Sequence, residues 1–220
     1  EIILDTETTG LSVKDGHRIV EIGCIELDNL VPTKNIFHCY LNPERKVSEK
    51  AFEVHGYSDQ FLSDKKKFFE IADDFLNFIK DKKIIIHNAE FDISHLNNEL
   101  SIAGKPEINK EHTVDTLDLA RNKFPGSGIS LDALCKRFRI DNSKREKHTA
   151  LIDCELLAKV YINLLDQKEP KLNFSNSVDI NSVETQNKNI TYSKKIVYPT
   201  SEELEQHREF LKRDLKKNFY

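Results

Sequence analysis

Asp5 and Glu7 stand two positions apart in the opening stretch "EIILDTETTG". Ile2, Ile3 and Leu4 give that stretch the character of a strand, and on a strand side chains at i and i+2 leave the same face. The two carboxylates therefore point together while Leu4 and Thr6 point away. Acids so placed repel each other and need water, a proton or a cation; a divalent cation with oxygen ligands neutralises both at once. Two further acids sit where apolar segments begin or end, Asp92 in "IIIHNAEFD" and Asp153 in "KHTALIDCELLAKVY". His148 precedes Asp153 by five positions, about 500° of helical rotation, so both cannot face one point from within a regular helix. A loop position just before the helix would let His148 swing toward whatever Asp153 faces. Taken singly, each has a plainer reading: Asp5 and Glu7 as a solvated strand end, Asp92 as a complement to a helix dipole, His148 as an exposed loop residue.

The elements that would position these groups follow from composition and period. Residues 1–8, 18–27 and 35–41 are rich in aliphatic, β-branched and aromatic residues and read as three strands, antiparallel because their connections are short. Phe68, Ile71, Ala72, Phe75, Phe78 and Ile79 recur at helical spacing, which predicts an amphipathic helix over 68–80. A buried strand is expected at 83–87, then a helix from Phe91 closed by Gly104, a short strand or turn leading into a helix over 112–124, and helices over 130–138 and 149–165. Three strands followed by strands alternating with helices imply a mixed α/β sheet covered by helices.

At 220 residues with 38% hydrophobic content, the chain accommodates one ordinary domain and an appendage. The net charge of -4 argues against a protein that coats duplex nucleic acid along its whole surface, so any such contact is local. Cys24, Cys39, Cys135 and Cys154 form no CxxC pair, and the eight histidines form no zinc spacing, which suits reduced thiols in a cytoplasmic setting. No segment approaches the ~20 apolar residues of a membrane span. The chain contains no Met, and the expectation is that a few N-terminal residues are missing. After Leu165 the composition shifts. Residues 175–189 are Ser- and Asn-rich without period and read as a flexible linker, whereas Thr200 and Glu203 carry a capping-box spacing that opens a helix with acids early and Lys and Arg late. Leu204, Phe210, Leu211 and Leu215 would need a surface to dock on.

Together the motifs are no longer independent. "DxE" on a first strand, "HNAxFD" after a later strand and "HxALxD" opening a late helix resemble the three motifs of the DEDDh, or DnaQ-like, 3'-5' exonucleases. The resemblance covers residues 1 to about 165. It implies a ribonuclease H-like fold, a mixed five-stranded sheet flanked by helices, here with a flexible C-terminal tail. It divides the chain into an exonuclease domain over 1–166, a linker over 167–190 and a partner-binding segment over 191–220. By the same resemblance Asp5, Glu7, Asp92 and Asp153 bind two divalent cations, Mg2+ or Mn2+, and His148 is the general base. Two such ions can activate water and stabilise a leaving 3' oxygen, and a histidine with an ordinary pKa of about 6.5 can take that water's proton near neutrality.

"AFEVHGYSDQFL" and "FPGSGISLDALCKRFRIDNSKREKH" are most similar to the proofreading branch of this family, the exonuclease subunits of bacterial replicative polymerases. That likeness implies removal of mispaired nucleotides, as 5'-monophosphates, from single-stranded or frayed DNA 3' ends. Thr8, Thr9, Gly10, Leu11, Lys50, His55, Asn88 and Phe91 would contact the terminal nucleotide, His55 from a loop. Residues 136–147 hold six Lys and Arg in twelve positions, a run that could steer the strand. "EPKLNF" at 169–174 resembles a sliding-clamp motif, with Leu172 and Phe174 as anchors and Glu169 where the pattern prefers Gln. Leu204, Phe210, Leu211 and Leu215 would bind the polymerase's alpha subunit, and a small theta-like subunit is a further implied partner. Two other readings stay open: an exoribonuclease of the ribonuclease T or oligoribonuclease type, and an accessory subunit that chiefly stabilises its polymerase. The acids do not separate DNA from RNA, because cations on a phosphate ignore the sugar; the extended tail favours the polymerase-associated readings.

Overall fold

Ile2–Thr8 form β1, the middle strand of a five-stranded sheet whose other members are β2 (Ile19–Asp28), β3 (Val31–Tyr40), β4 (Ile84–Ile86) and β5 (Thr113–Asp115). The order is β3-β2-β1-β4-β5. β1 and β2 run antiparallel, as do β2 and β3, whereas β4 pairs with β1 and with β5 in parallel. The mixed sheet expected from the sequence is therefore present. β3 begins four residues earlier than its aromatic run suggests, because Asn29 and Leu30, both at positive φ, close a two-residue hairpin and pair Asp28 with Val31. The computed structural model describes residues 1–143, 145, 147–166 and 198–214.

Alternation along β1 sorts two cores. Ile2 and Leu4 pack with α3 (Phe68–Ile79) and α4 (Ala89–Ile102), while Ile3 packs on the other face with α6 (Leu131–Phe138) and α7 (Ala150–Leu164). All three isoleucines of β4 are buried, as a parallel strand covered on both faces requires. Three shorter helices complete this part of the chain: α1 (Glu49–His55), α2 (Asp59–Leu62) and α5 (Thr116–Lys123).

α1 corrects one expectation. His55 lies in the last turn of a helix rather than on a loop, and it is buried. The Ser48 hydroxyl accepts from Ala51 N–H at 3.2 Å to open the helix, and Gly56, at φ 79°, closes it.

The chain divides into two units, Glu1–Leu172 and Asn173–Tyr220. The linker assigned to 167–190, with Leu172 and Phe174 of the clamp-like motif, lies outside the described residues, as does Leu215. In the second unit α8 spans Ser201–Asp214 and opens with the anticipated box: Thr200 N–H donates to Glu203 Oε2 at 2.8 Å, and Glu203 N–H donates to Thr200 Oγ1 at 3.3 Å. On α8 Leu204 and Phe210 are exposed and Leu211 is buried. Among the described residues no helix is long and apolar enough to cross a membrane.

Candidate active site

The C-terminal half of β1 delivers Asp5 and Glu7 to the α7 face of the sheet, opposite their β2 partners Gly23 and Glu21. Gly23 is what lets α7 come close. A Cβ at that position would lie 2.7 Å from the Ala150 carbonyl carbon, inside any permitted contact. Cys154 Sγ donates to the Gly23 carbonyl at 3.2 Å from the same helix. Glu21, wholly buried, fixes the helix start: its Oε2 accepts from Ala150 N–H at 2.9 Å and from the Tyr57 hydroxyl at 2.8 Å, and its Oε1 lies 2.7 Å from His38 Nε2. Thr149 caps α7, its hydroxyl accepting from Ile152 N–H at 3.3 Å. His148 thus precedes the helix, as its spacing required, and its backbone N–H donates to Val54 of α1 at 3.2 Å.

Asp92 arrives from the other face, in the first turn of α4. Thr6, whose side chain points opposite to those of Asp5 and Glu7, donates to Asp92 Oδ1 through its hydroxyl at 2.7 Å and its backbone N–H at 3.0 Å. Both bonds fall on the same carboxylate oxygen and fix its orientation. The start of α4 is held in turn by Asp115, which accepts from the N–H groups of Asn88 at 3.0 Å and Ala89 at 3.1 Å, with Asn88 itself in the left-handed region at φ 71°.

A cavity of about 430 Å³ brings the acids together: Asp5, Glu7, Asp92, Asp153, His148 and Arg145 all line it, and so does Asn88. Arg145 belongs to the basic run 136–147 that was expected to steer the strand. Instead its side chain is only 7% exposed and turns inward, its Nε 2.5 Å from Asp153 Oδ1 and its Nη2 2.6 Å from Oδ2. Two acids of opposite provenance, Asp153 and Asp132, draw it in. Lys147, from the same run, donates its ammonium to the Glu53 carbonyl at 2.6 Å.

The electrostatics express a cavity with more negative charge than its one guanidinium balances. Burial, then the charges of Asp92, Asp153 and Glu7, hold the Asp5 carboxyl well above the usual carboxylate range. Burial, then Asp153, Glu21 and Asp92, push Glu7 up to about 8. Burial also raises Asp92, to about 7, against the lowering pull of the Thr6 hydrogen bonds. Asp153 differs. Burial works against its charge as well, but the neighbouring His148, the Arg145 hydrogen bonds and the Arg145 charge outweigh it and hold the carboxyl below its ordinary value.

A second cavity, of about 510 Å³, shares Thr6, Glu7 and Phe91 with the first. Thr8, Gly10, Leu11, Lys50 and His55 line it. Leu11 is 82% exposed at its mouth, an unusual placement for a leucine. His55 Nδ1 accepts from Tyr57 N–H at 3.0 Å, the rings stack 4.8 Å apart, and burial lowers the imidazole pKa. Thr9 lines neither cavity. It is fully buried, with its hydroxyl 3.0 Å from His17 Nδ1 and accepting from Arg18 N–H at 3.1 Å, so it shapes the turn from beneath.

The donor set fits hard divalent cations. Glu7, His148 and Asp153 each bring a ligand atom within 4.8 Å of the others, and carboxylate oxygens dominate the cavity.

Three groups had escaped sequence reasoning. Glu21 carried a signal, an acid amid the β-branched residues of "RIVEIGCIEL". Thr6 and Arg145 carried none, since a hydroxyl in a strand and an Arg in a basic run are ordinary.

A central strand bearing two acids, flanked by helices that supply two more, is the arrangement of a nuclease built for phosphoryl transfer. The chain belongs to the exonuclease family: a family model of that description matches residues 2–161. It is 51% identical to DNA polymerase III subunit epsilon of Rickettsia conorii across 98% of this chain and 96% of the relative. To the subunit of the same name in Escherichia coli it is 47% identical, across 74% of this chain and 70% of the relative. Among solved structures it is similar to exonuclease X in complex with 5' overhanging duplex DNA, with a TM-score of 0.58 and 26% identity over 76% of this chain and 92% of that one. The nuclease domain of 3'hExo, a DEDDh family member bound to rAMP, shares the fold with a TM-score of 0.66 at 17% identity, over 76% of this chain and 92% of that one.

Proposed function

We propose that this chain is the proofreading 3'-5' exonuclease of a bacterial DNA polymerase III, removing mispaired nucleotides from DNA 3' ends as 5'-monophosphates. One observation carries the reading: four acids and a histidine from three separated segments line one cavity, which opens beside a second, more apolar cavity through the shared residues Thr6, Glu7 and Phe91. Asp5, Glu7, Asp92 and Asp153 would hold two divalent cations, Mg2+ or Mn2+. When bound, such ions supply Lewis acidity at the scissile phosphate and offset charge on the departing 3' oxygen.

The chain's own groups do the rest. His148, beside Asp153 at the cavity edge, takes the proton of the attacking water. Thr6 fixes the Asp92 carboxylate, and Glu21 and Gly23 fix the helix that carries Asp153. The terminal base rests in the second cavity, where Leu11, Val54 and Phe91 offer apolar surface and Thr8, Lys50 and His55 offer polar contacts. Asn88 contacts the strand from the acid side.

Similarity to an epsilon subunit along both units supports association with the polymerase's alpha subunit through the C-terminal segment, by Leu204, Phe210 and Leu211 of α8 and by Leu215 beyond the described residues. Binding of a sliding clamp through Leu172 and Phe174, contact with a theta-like subunit, and residence in the cytoplasm belong to the same reading.

The test is a timed digestion of a 5'-labelled primer carrying a 3' mismatch, with Mg2+ or with a chelator, beside matched DNA and RNA single strands. Metal-dependent shortening from the 3' end with DNA preferred is the expected result. Faster RNA degradation, or shortening that survives chelation, would refute the proposal.

A further inference from the structure

Among the described residues lining the acid cavity, Arg145 is the only Lys or Arg. Every nitrogen of its guanidinium is engaged. Nε and Nη2 take one oxygen each of Asp153, at 2.5 and 2.6 Å, so neither oxygen of that carboxylate is free of a partner. Nη1 lies 2.7 Å from Asp132 Oδ2, and Nη2 lies 2.9 Å from His148 Nδ1. A guanidinium only donates, so the His148 Nδ1 lone pair must be the acceptor and the ring proton sits on Nε2. One side chain thus covers a metal-ligating acid and the lone pair of the general base together.

We propose that Arg145 is a displaceable internal counter-ion. In the metal-free protein it stands at Asp153 in place of a divalent cation, and cation binding there releases it and uncovers His148 Nδ1. The two cations compete because they want the same oxygens, and because a guanidinium and a divalent ion a few ångströms apart repel strongly where water is scarce. Asp132, whose side chain is 55% exposed at the start of α6, holds the displaced guanidinium at the rim. Arg145 is then a positioning residue, one that keeps the acid cluster folded before metal arrives and keeps its base covered until metal is bound. The inference rests on the acids being cation ligands, and it adds that loading the site is an exchange of cations.

Calorimetric titration of the full chain with Mn2+ tests this, using wild type, Arg145→Gln and Arg145→Lys. Arg145→Gln should bind Mn2+ about tenfold more tightly, since removing a charge-assisted competitor favours the ion. Arg145→Lys, which keeps the charge and loses the fork, should fall between. Metal-free Arg145→Gln should also melt below wild type and gain more in Tm from added Mn2+. Unchanged or weaker Mn2+ affinity in Arg145→Gln overturns the proposal. A readout without substitution is the imidazole 15N signal of His148 in wild type during Mg2+ addition: Nδ1 should leave its hydrogen-bonded position as the site fills, and a signal that stays put overturns the proposal equally. Wild type that takes up no Mn2+ at all would refute the cation-binding reading itself, whereas uptake that Arg145→Gln fails to tighten refutes only the role of Arg145.

Discussion

Gly23→Ala probes how closely α7 must approach the sheet. The added Cβ would stand 2.7 Å from the Ala150 carbonyl carbon and 2.8 Å from both the Ala150 oxygen and Leu151 N. Non-bonded carbon atoms settle at about 3.5–4.0 Å, so the first turn of α7 must retreat by roughly 1 Å. These obstructing atoms are backbone, and no rotamer change removes them. Asp153 lies in that turn and His148 just before it, so both move away from Asp5 and Glu7. A misplacement of this size in reacting groups costs on the order of 10²-fold in rate, and overpacking costs ~1–3 kcal/mol in stability, or about 2–12 °C in Tm for a domain of this size. Single-turnover release of the 3'-terminal nucleotide, with a parallel thermal melt, measures both. The Cys154 bond to the Gly23 carbonyl should break with the same movement. A variant that melts with wild type and cleaves within twofold of it would refute the claim that this contact sets the acid geometry.

Two other perturbations have defined outcomes. Thr6→Val removes the hydroxyl that donates to Asp92 but keeps the backbone donor, so Mn2+ affinity should fall by about 10-fold or more, as loss of an orienting partner does at metal sites; an unchanged titration curve argues that the backbone donor alone orients the acid. Protons and cations also share the cavity. Asp5, Glu7 and Asp92 have folded-state values above their unfolded ones, so the metal-free fold binds more protons than the unfolded chain. Their contribution is fully present below the unfolded carboxylate range and is lost as pH rises through about 7 for Asp92 and about 8 for Glu7. Asp153 works oppositely, stabilising above its unfolded value and losing that as pH falls. Urea melts of metal-free protein should therefore show stability declining from pH 5 to pH 8 with Mg2+ restoring it, and Mn2+ binding at pH 7 should release protons, read from calorimetry in two buffers of different ionisation enthalpy. Stability that rises across that interval without metal would contradict the charge assignment.

How legible each part was in the sequence follows from element length and from what a side chain faces. β1, α3 and α7 were readable because they are long enough for a period to repeat, and α7 starts at Ala150, one residue past the expected boundary. The capping box at Thr200 was readable because it is a local hydrogen-bond pattern. α1 and α2, of seven and four residues, are too short to display a period, and their exposed Phe52, Val54 and Phe61 break the inside-outside rule. Their signals were the caps, Ser48 with Gly56 and then Ser58. The acids could be assigned to one site only through their order along the chain, because no local rule brings Asp92 from one face of the sheet to Asp5 on the other. Arg145 was illegible for a related reason: the partners that bury it, Asp132 and Asp153, lie on two different helices.

The central claim is that His148 and the four acids form one hydrolytic centre. The most direct measurement is the single-turnover rate of 3'-terminal nucleotide release by His148→Ala at saturating Mg2+, with Mn2+ binding and DNA binding measured on the same protein. Loss of a general base predicts a rate lower by ~10²–10⁴-fold with both affinities retained. Cleavage by His148→Ala at the wild-type rate would contradict the account.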